Sequence, residues 1–296
     1  MATPTTLAHQ GYSYRYRRIP AHRSTGSMPP VIFLSGAFQS MESWRRFVDA
    51  FVPQSDVVLV DLPGSGAADP LPPEFGLDFL TDALHRVLLE LSLPRAYMVC
   101  ASYGSPIGYR FAQRFPERIS HLVLAGVMDA IPDRVRAPME RAVTLAASGR
   151  LEEFSSLTLS YLLCQDPRCL IARRNSVERA LRRGLTRMSQ GDLRRFVWNT
   201  QRLLKHPPLD LTRPPEAPTL VFTGEHDAFT PPEQCRRVAD HIPGARFTTI
   251  ARADHIFHLQ RFDATVDLLT GFVQGRLPGT VRDVGSDEPE LAARAE

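Results

Sequence analysis

Between residues 31 and 126 the chain repeats one pattern: a short unbroken apolar run, a turn, then a stretch with helical spacing. Val31-Ile32-Phe33-Leu34 ends at Ser35-Gly36, and residues 41–52 then read as a helix. Val57–Val60 is a second run, followed by helical spacing over 77–92. Ala96–Cys100 is a third run, with a helix from Gly104 to Phe115 that Pro116 stops, and Leu122–Ala125 is a fourth. Runs without polar alternation belong to strands buried on both faces, and interleaved helices are what cover those faces. The pattern therefore predicts a parallel sheet with right-handed crossovers. It breaks at Asp129. Residues 130–210 hold helix-like segments and no strand pattern, and Asn175-Ser176-Val177-Glu178 offers a helix start in capping-box form. The sheet pattern resumes at Thr219–Phe222, followed by a helix over 232–241, a strand at Arg246–Ile250 and a last helix over 262–274.

This organisation predicts an α/β fold: a mainly parallel sheet of seven or eight strands with an inserted helical cap. The core comprises 1–129 and 211–275, the cap 130–210, and the polar, acidic segment 276–296 a disordered tail. Residues 11–19, with Tyr12, Tyr14 and Tyr16 in alternation, read as an edge strand. The 296 residues suit one large domain with an insertion, or two domains. No apolar stretch approaches the roughly 18–20 residues of a membrane span, and the first residues lack a secretory pattern. Cys100, Cys164, Cys169 and Cys235 form neither a disulfide-dense framework nor a zinc-type C-x-x-C pair. A cytoplasmic protein with reduced thiols is expected. Lys205 is the sole lysine beside 34 arginines, but these are dispersed and the net charge is only +3, so nucleic-acid binding is disfavoured.

The most informative segment is Val99-Cys100-Ala101-Ser102-Tyr103-Gly104. A buried strand runs directly into a helix with serine at the corner, which is the layout of a nucleophile elbow. Small residues are needed two before and two after the serine; here they are Cys100 and Gly104. Cys100 itself lies on the strand and reads as packing. Serine needs a base oriented by a third group. Phe222-Thr223-Gly224-Glu225-His226-Asp227 and Arg252-Ala253-Asp254-His255 leave the last two strands at the sheet edge where open α/β sheets place their sites. Ser102, Asp227 and His255 are thus the expected catalytic residues, in the order nucleophile, acid, histidine. Asp129 is the alternative acid. His226 and Glu225 read as turn residues beside the acid, and His258 falls three positions late. Two backbone N–H groups should face the developing oxyanion: that of Tyr103 and, from the loop after the first strong strand, that of Ala37, with Phe38 as the alternative. Asp61-Leu62-Pro63-Gly64-Ser65-Gly66 reads as a tight turn, because it lacks the Lys-Ser/Thr and helix start of a phosphate loop. No metal or other cofactor is required.

With three motifs in this order, the chain resembles the α/β-hydrolase superfamily over about residues 30–128 and 215–273. Ser35-Gly36-Ala37, the Cys-Ala-Ser-aromatic-Gly elbow, Thr223–Thr230 and Met188-Ser189-Gln190-Gly191-Asp192 are similar to one branch within it. That branch holds the rhamnolipid-pathway 3-(3-hydroxyalkanoyloxy)alkanoate synthases and 3-hydroxyacyl carrier-protein transacylases. Membership would imply transfer of a medium-chain 3-hydroxyacyl group from a carrier thioester, through the serine, to a hydroxyl acceptor. The chain departs from that branch where Asp254 replaces a glycine, Tyr103 a tryptophan, Ser105 the second elbow glycine and Ser35 an asparagine. The alternatives are an esterase or thioesterase releasing the acyl group to water, and a non-catalytic receptor on the same scaffold. Phe38, Tyr103, Phe229 and leucines of the insertion are expected to line an apolar pocket, with Phe38 and Phe229 as substrate-binding residues.

Residues 168–205 carry eleven basic side chains against Glu178 and Asp192. Arg179, Arg183 and Arg187 repeat every four positions, half a turn from Val177, Leu181 and Leu185. The pattern predicts a helix with an apolar inner face and a basic outer one, read either as a solvated face or as a docking surface for an acidic acyl carrier protein.

Overall fold

The computed structural model describes residues 3–22 and 28–276. Its elements in chain order are β1 (Thr5–His9), β2 (Tyr12–Ile19), β3 (Val31–Leu34), a 3-10 turn (Met41–Trp44) leading into α1 (Arg45–Phe51), β4 (Val57–Asp61), α2 (Leu77–Glu90), β5 (Ala96–Ala101), α3 (Gly104–Arg114) and β6 (Ile119–Ala125). Four helices follow: α4 (Asp133–Ala147), α5 (Leu151–Leu162), α6 (Arg174–Leu185) and α7 (Gln190–Lys205). The chain then returns to the sheet with β7 (Thr219–Gly224), α8 (Pro232–Asp240), β8 (Arg246–Ile250), α9 (Phe257–Gln260) and α10 (Phe262–Val273). The strands form one eight-stranded sheet in the order β1-β2-β4-β3-β5-β6-β7-β8, parallel from β4 to β8 and antiparallel at β1 and β2.

Every residue of β3, β4, β5 and β7 is buried, which is why these strands read as continuous apolar runs. Their side chains divide between two layers. One packs under α2, α3 and α8, with Leu34, Cys100 and Leu124 in register across β3, β5 and β6. The other packs under α1 and α10 around Phe33, Tyr97 and Phe222. Truncating one such leucine to alanine typically costs about 2–5 kcal/mol. A third apolar cluster lies among the inserted helices, built on Phe154, Leu159, Leu185 and Phe196 and closed by Ile256 from the core.

Two expectations need correction. The 11–19 strand is not the edge, because Gln10 and Gly11, both at positive φ, turn the chain out of β1 and back along it as β2, so that β1 occupies the edge instead. A two-residue hairpin of this kind requires left-handed backbone at both positions. The capping box at 175–178 does not form. α6 begins at Arg174 behind a left-handed Arg173, and the Ser176 hydroxyl instead donates to the Arg173 carbonyl. A true capping box stands at Ser189 and Asp192, where α7 begins. Of the predicted tail 276–296, all but Arg276 lies outside the described residues. No described helix is long and apolar enough to cross a membrane.

Candidate active site

Ser102 sits between β5 and α3 with φ of +48°, a left-handed conformation that typically costs a non-glycine residue about 1–3 kcal/mol. Neighbouring hydrogen bonds hold it there. Its N–H donates to the Ala125 carbonyl at 2.7 Å, and its carbonyl accepts from the Ser105 N–H at 2.9 Å. Gly104 makes the turn sterically possible, since a Cβ there would lie 2.8 Å from the Leu34 carbonyl oxygen. Ser105, in place of a glycine, fits because its hydroxyl donates to the Cys100 carbonyl at 3.0 Å. Cys100 is fully buried with its sulfur facing Gly108, and burial pushes its thiol pKa up, as suits a packing residue.

The loops after β7 and β8 bring Asp227 and His255 to this corner. His255 Nε2 lies 3.0 Å from Ser102 Oγ, and His255 Nδ1 lies 2.8 Å from Asp227 Oδ2. A carboxylate only accepts, so Nδ1 carries the proton and Nε2 is left to accept from the serine hydroxyl. Asp227 has further support that its sequence context did not reveal. Its Oδ1 accepts from the Phe229 and Thr230 N–H groups, each at 2.8 Å, and its Oδ2 from the hydroxyls of Thr223 and Thr230 at 2.5 and 2.7 Å. Burial alone would raise the Asp227 pKa, but the charge and hydrogen bond of His255 and the two threonine hydroxyls hold it below the ordinary value. Burial likewise pulls His255 down; the charge and hydrogen bond of Asp227, with the charge of Asp254, outweigh it and leave the imidazole above its ordinary value. An ionised acid beside a tautomer-locked, raised-pKa histidine is what proton transfer from a serine requires.

The other candidates fall elsewhere. Asp129 forms an ion pair with Arg237 at 3.1 Å and does not reach His255. Glu225 accepts from the Arg252 N–H, and His226 lies beside Glu225. The N–H groups of Ala37 and Tyr103 donate to no protein acceptor among the described residues, whereas that of Gly36 is taken by Gln39 Oε1 at 2.8 Å. Gly36 itself lies against Ser102, since a Cβ built on it would come within 3.4 Å of the serine Cβ. Ser35 turns its hydroxyl away, accepting from Trp44 Nε1 at 3.0 Å.

A cavity of about 640 Å³ opens beside Ser102, bounded by Phe38, Phe196, Leu159, Leu185, Met188 and Phe229 among others. Phe38 stacks on Phe196 with centroids 5.0 Å apart, and Phe229 packs edge-on against His255. Volume and lining are those of a small-molecule site. Among the described residues no group of three metal-type ligands occurs.

Two features were not foreseen. Arg202 of α7 is 2% exposed. Its guanidinium donates to the carbonyls of Leu71, Pro72 and Phe75, to Asn199 Oδ1 and to the Tyr103 hydroxyl. It therefore belongs to the interior, which corrects the reading of 168–205 as one basic face. Arg174 is likewise engaged, with the carbonyls of Cys164, Asp166 and Cys169, and Arg195 with that of Ala68. Arg179, Arg183 and Arg187 are exposed, but α6 ends at Leu185, so Arg187 lies past it and borders the cavity. The second feature is His258, which also borders the cavity and pairs with Gln39. Neither Gln39 nor His258 falls in a motif, and only the tertiary fold shows their meeting.

The alpha/beta hydrolase fold family profile matches residues 29–262, and the chain belongs to that family. An alpha/beta hydrolase enzyme from a Medee basin deep-sea metagenome library superposes with a TM-score of 0.80 at 20% identity, covering 91% of this chain and 97% of that one. By sequence, the pimeloyl-[acyl-carrier protein] methyl ester esterase of Nitrosomonas europaea is 25% identical over 249 residues, 78% of this chain and 90% of its own length. An uncharacterized hydrolase of Saccharomyces cerevisiae is 29% identical over 116 residues, 38% of this chain, and the match spans only 40% of the yeast protein.

Proposed function

We propose that the chain is a serine-dependent enzyme that cleaves acyl esters or thioesters through an acyl-enzyme on Ser102. The observation that carries this reading is the unbroken chain Ser102–His255–Asp227, with contacts of 3.0 and 2.8 Å, at the wall of an apolar cavity. Ser102 Oγ attacks the acyl carbonyl as His255 Nε2 takes its proton, and Asp227 stabilises the resulting imidazolium. The N–H groups of Ala37 and Tyr103 receive the oxyanion. The tetrahedral intermediate then expels the alcohol or thiol, which takes the proton from His255. In the second half-reaction His255 deprotonates the incoming water or hydroxyl, which attacks the acyl-enzyme and frees Ser102. The inserted helices over 130–210 act as a cap, since they wall the cavity and so decide what reaches the acyl-enzyme.

A fluorophosphonate that reacts with activated serines tests this directly. Labelling of the wild type at Ser102, lost in Ser102→Ala together with ester hydrolysis, is the expected result. Absence of labelling would favour a ligand receptor on the hydrolase scaffold.

A narrower reading concerns donor and acceptor: a medium-chain 3-hydroxyacyl group passed from a carrier thioester to a hydroxyl acceptor. Three observations favour it: the sequence resemblance to that branch, the apolar cavity, and exposed Arg179, Arg183 and Arg187, the last of them at the cavity rim, suited to an acidic carrier. The Nitrosomonas relative is named for an acyl-carrier-protein ester, which fits a carrier-borne substrate. Supplying 3-hydroxyacyl carrier protein with and without a hydroxy-acid acceptor, and weighing the products by mass spectrometry, separates transfer from hydrolysis. Free acid alone, formed at a rate indifferent to acceptor, would leave the hydrolase.

A further inference from the structure

We propose that His258 is a neutral hydrogen-bond donor in the cavity wall, selecting substrates that carry an uncharged acceptor oxygen near the reacting carbonyl. The inference rests on the acyl-enzyme reading for the identity of the cavity's occupant. It begins with Gln39. The side-chain oxygen of Gln39 accepts from the Gly36 N–H at 2.8 Å, which fixes the orientation of the amide. The Gln39 nitrogen is then the atom that faces His258 Nε2, at 3.1 Å. An amide nitrogen only donates, so Nε2 must accept, and the proton of a neutral imidazole must sit on Nδ1. Burial and the neighbouring charge of His255 push His258 down to about 4, so the ring is neutral at ordinary pH.

Nδ1–H meets no hydrogen-bonding partner among the described residues. Unlike the sealed ring nitrogens of His9, His85 and His121, it keeps accessible surface, and the ring borders the same cavity as Ser102. The segment Ile256–Leu259 and the loop Gly36–Ser40 together form that wall. A donor in a largely apolar cavity rewards a ligand that supplies an acceptor and penalises one that covers it with hydrocarbon. A hydroxyl or a carbonyl oxygen meets this requirement equally, whether on the acyl chain or on the leaving group, because the donor chemistry is common to both.

Binding to the Ser102→Ala protein tests the proposal without catalysis, using uncharged, unreactive amides in isothermal titration. The ligands are octanamide, 3-hydroxyoctanamide, 3-oxooctanamide and N-(2-acetamidoethyl)octanamide. Either both acyl-chain oxygens or the acetamido oxygen should improve affinity about five- to tenfold over octanamide, as one neutral hydrogen bond does. Which arm improves identifies the portion of the substrate recognised. The gain should disappear in Ser102→Ala/His258→Phe, which keeps a ring of similar size. Equal affinity for all four amides, a gain for the hydroxyl without the ketone, or a gain that survives the phenylalanine would overturn the proposal. Nitrogen-15 spectra of the imidazole give a reading independent of any ligand: the Nδ1–H tautomer is expected, and the Nε2–H tautomer would refute it. Loss of the preference with intact fluorophosphonate labelling of the wild type would sink this inference alone. Absent labelling would sink the acyl-enzyme reading instead.

Discussion

The hydroxyl of Tyr103 accepts a hydrogen bond from Arg202 Nη1 at 2.8 Å and donates to Asn199 Oδ1 at 3.2 Å. The residue that follows the proposed nucleophile is thus tied to α7, ninety-nine positions further along. Arg202 has no carboxylate partner among the described residues; carbonyl oxygens and one hydroxyl alone replace its water. Asn199 Nδ2 completes the link by donating to the Gly64 carbonyl at 2.8 Å. The Asp61–Gly66 turn, the elbow and the inserted helices therefore meet at one buried cation. We predict that Arg202→Met, which strands several buried acceptors, costs about 3 kcal/mol. Tyr103→Phe, which removes a hydroxyl, should cost about 1 kcal/mol. Urea unfolding measures both, and a negligible loss for Arg202→Met would show the network to be dispensable.

Asp227→Asn should lower turnover about 10⁴-fold if the side chain sets the His255 tautomer. Asp129→Asn, at a residue paired with Arg237, should cost far less. Initial rates with a p-nitrophenyl ester compare the two. A larger loss at Asp129 would reassign the acid.

The pH profile follows from His255. Only the neutral imidazole can accept the serine proton, and the folded-state pKa is raised above the ordinary 6.5 by Asp227 and Asp254. Activity is therefore lost as pH falls, with the midpoint of kcat/KM above 6.5. Asp254→Asn removes one of the two negative charges and should move that midpoint toward acid. Asp254 also accepts from the Cys164 N–H at 3.1 Å, so the histidine loop is joined to the end of α5. An unmoved or alkaline-shifted midpoint would show that its charge is not felt by His255.

Gly104→Ala forces a methyl to within 2.8 Å of the Leu34 carbonyl oxygen. Because Leu34 leads into the Ala37 loop, the clash should both destabilise the fold, by about 1–3 kcal/mol, and misplace the proposed oxyanion donor. Thermal unfolding with kcat on a simple ester reads both effects. Unchanged values would mean that the elbow can relax.

Charge reversal at Arg179, Arg183 and Arg187 probes the carrier. If an acidic carrier docks there, KM for its thioester should rise and lose salt sensitivity. The same enzyme assayed on thioesters with and without the carrier protein gives the comparison. Equal increases in KM for both would trace the effect to Arg187 at the cavity rim and not to docking.

What the sequence by itself determined was periodic and local. Unbroken apolar runs marked β3 to β7 because strands buried on both faces leave no polar alternation, and the serine corner was visible because an elbow admits only small flanking residues. Strand order in the chain placed Asp227 and His255 on loops at one sheet edge. The polar β1, Thr5–His9, escaped notice because an edge strand needs no apolar run. Only the tertiary structure decided which way the charged and polar side chains face. Arg202 reads like any surface arginine until the carbonyls of Leu71, Pro72 and Phe75 close around it. His258 reads as a residue three places too late until Gln39, 219 positions away, fixes its tautomer. Hydrogen-bond partners remote in sequence leave no periodicity to read, so the surroundings of the site become visible only where the chain folds back upon itself.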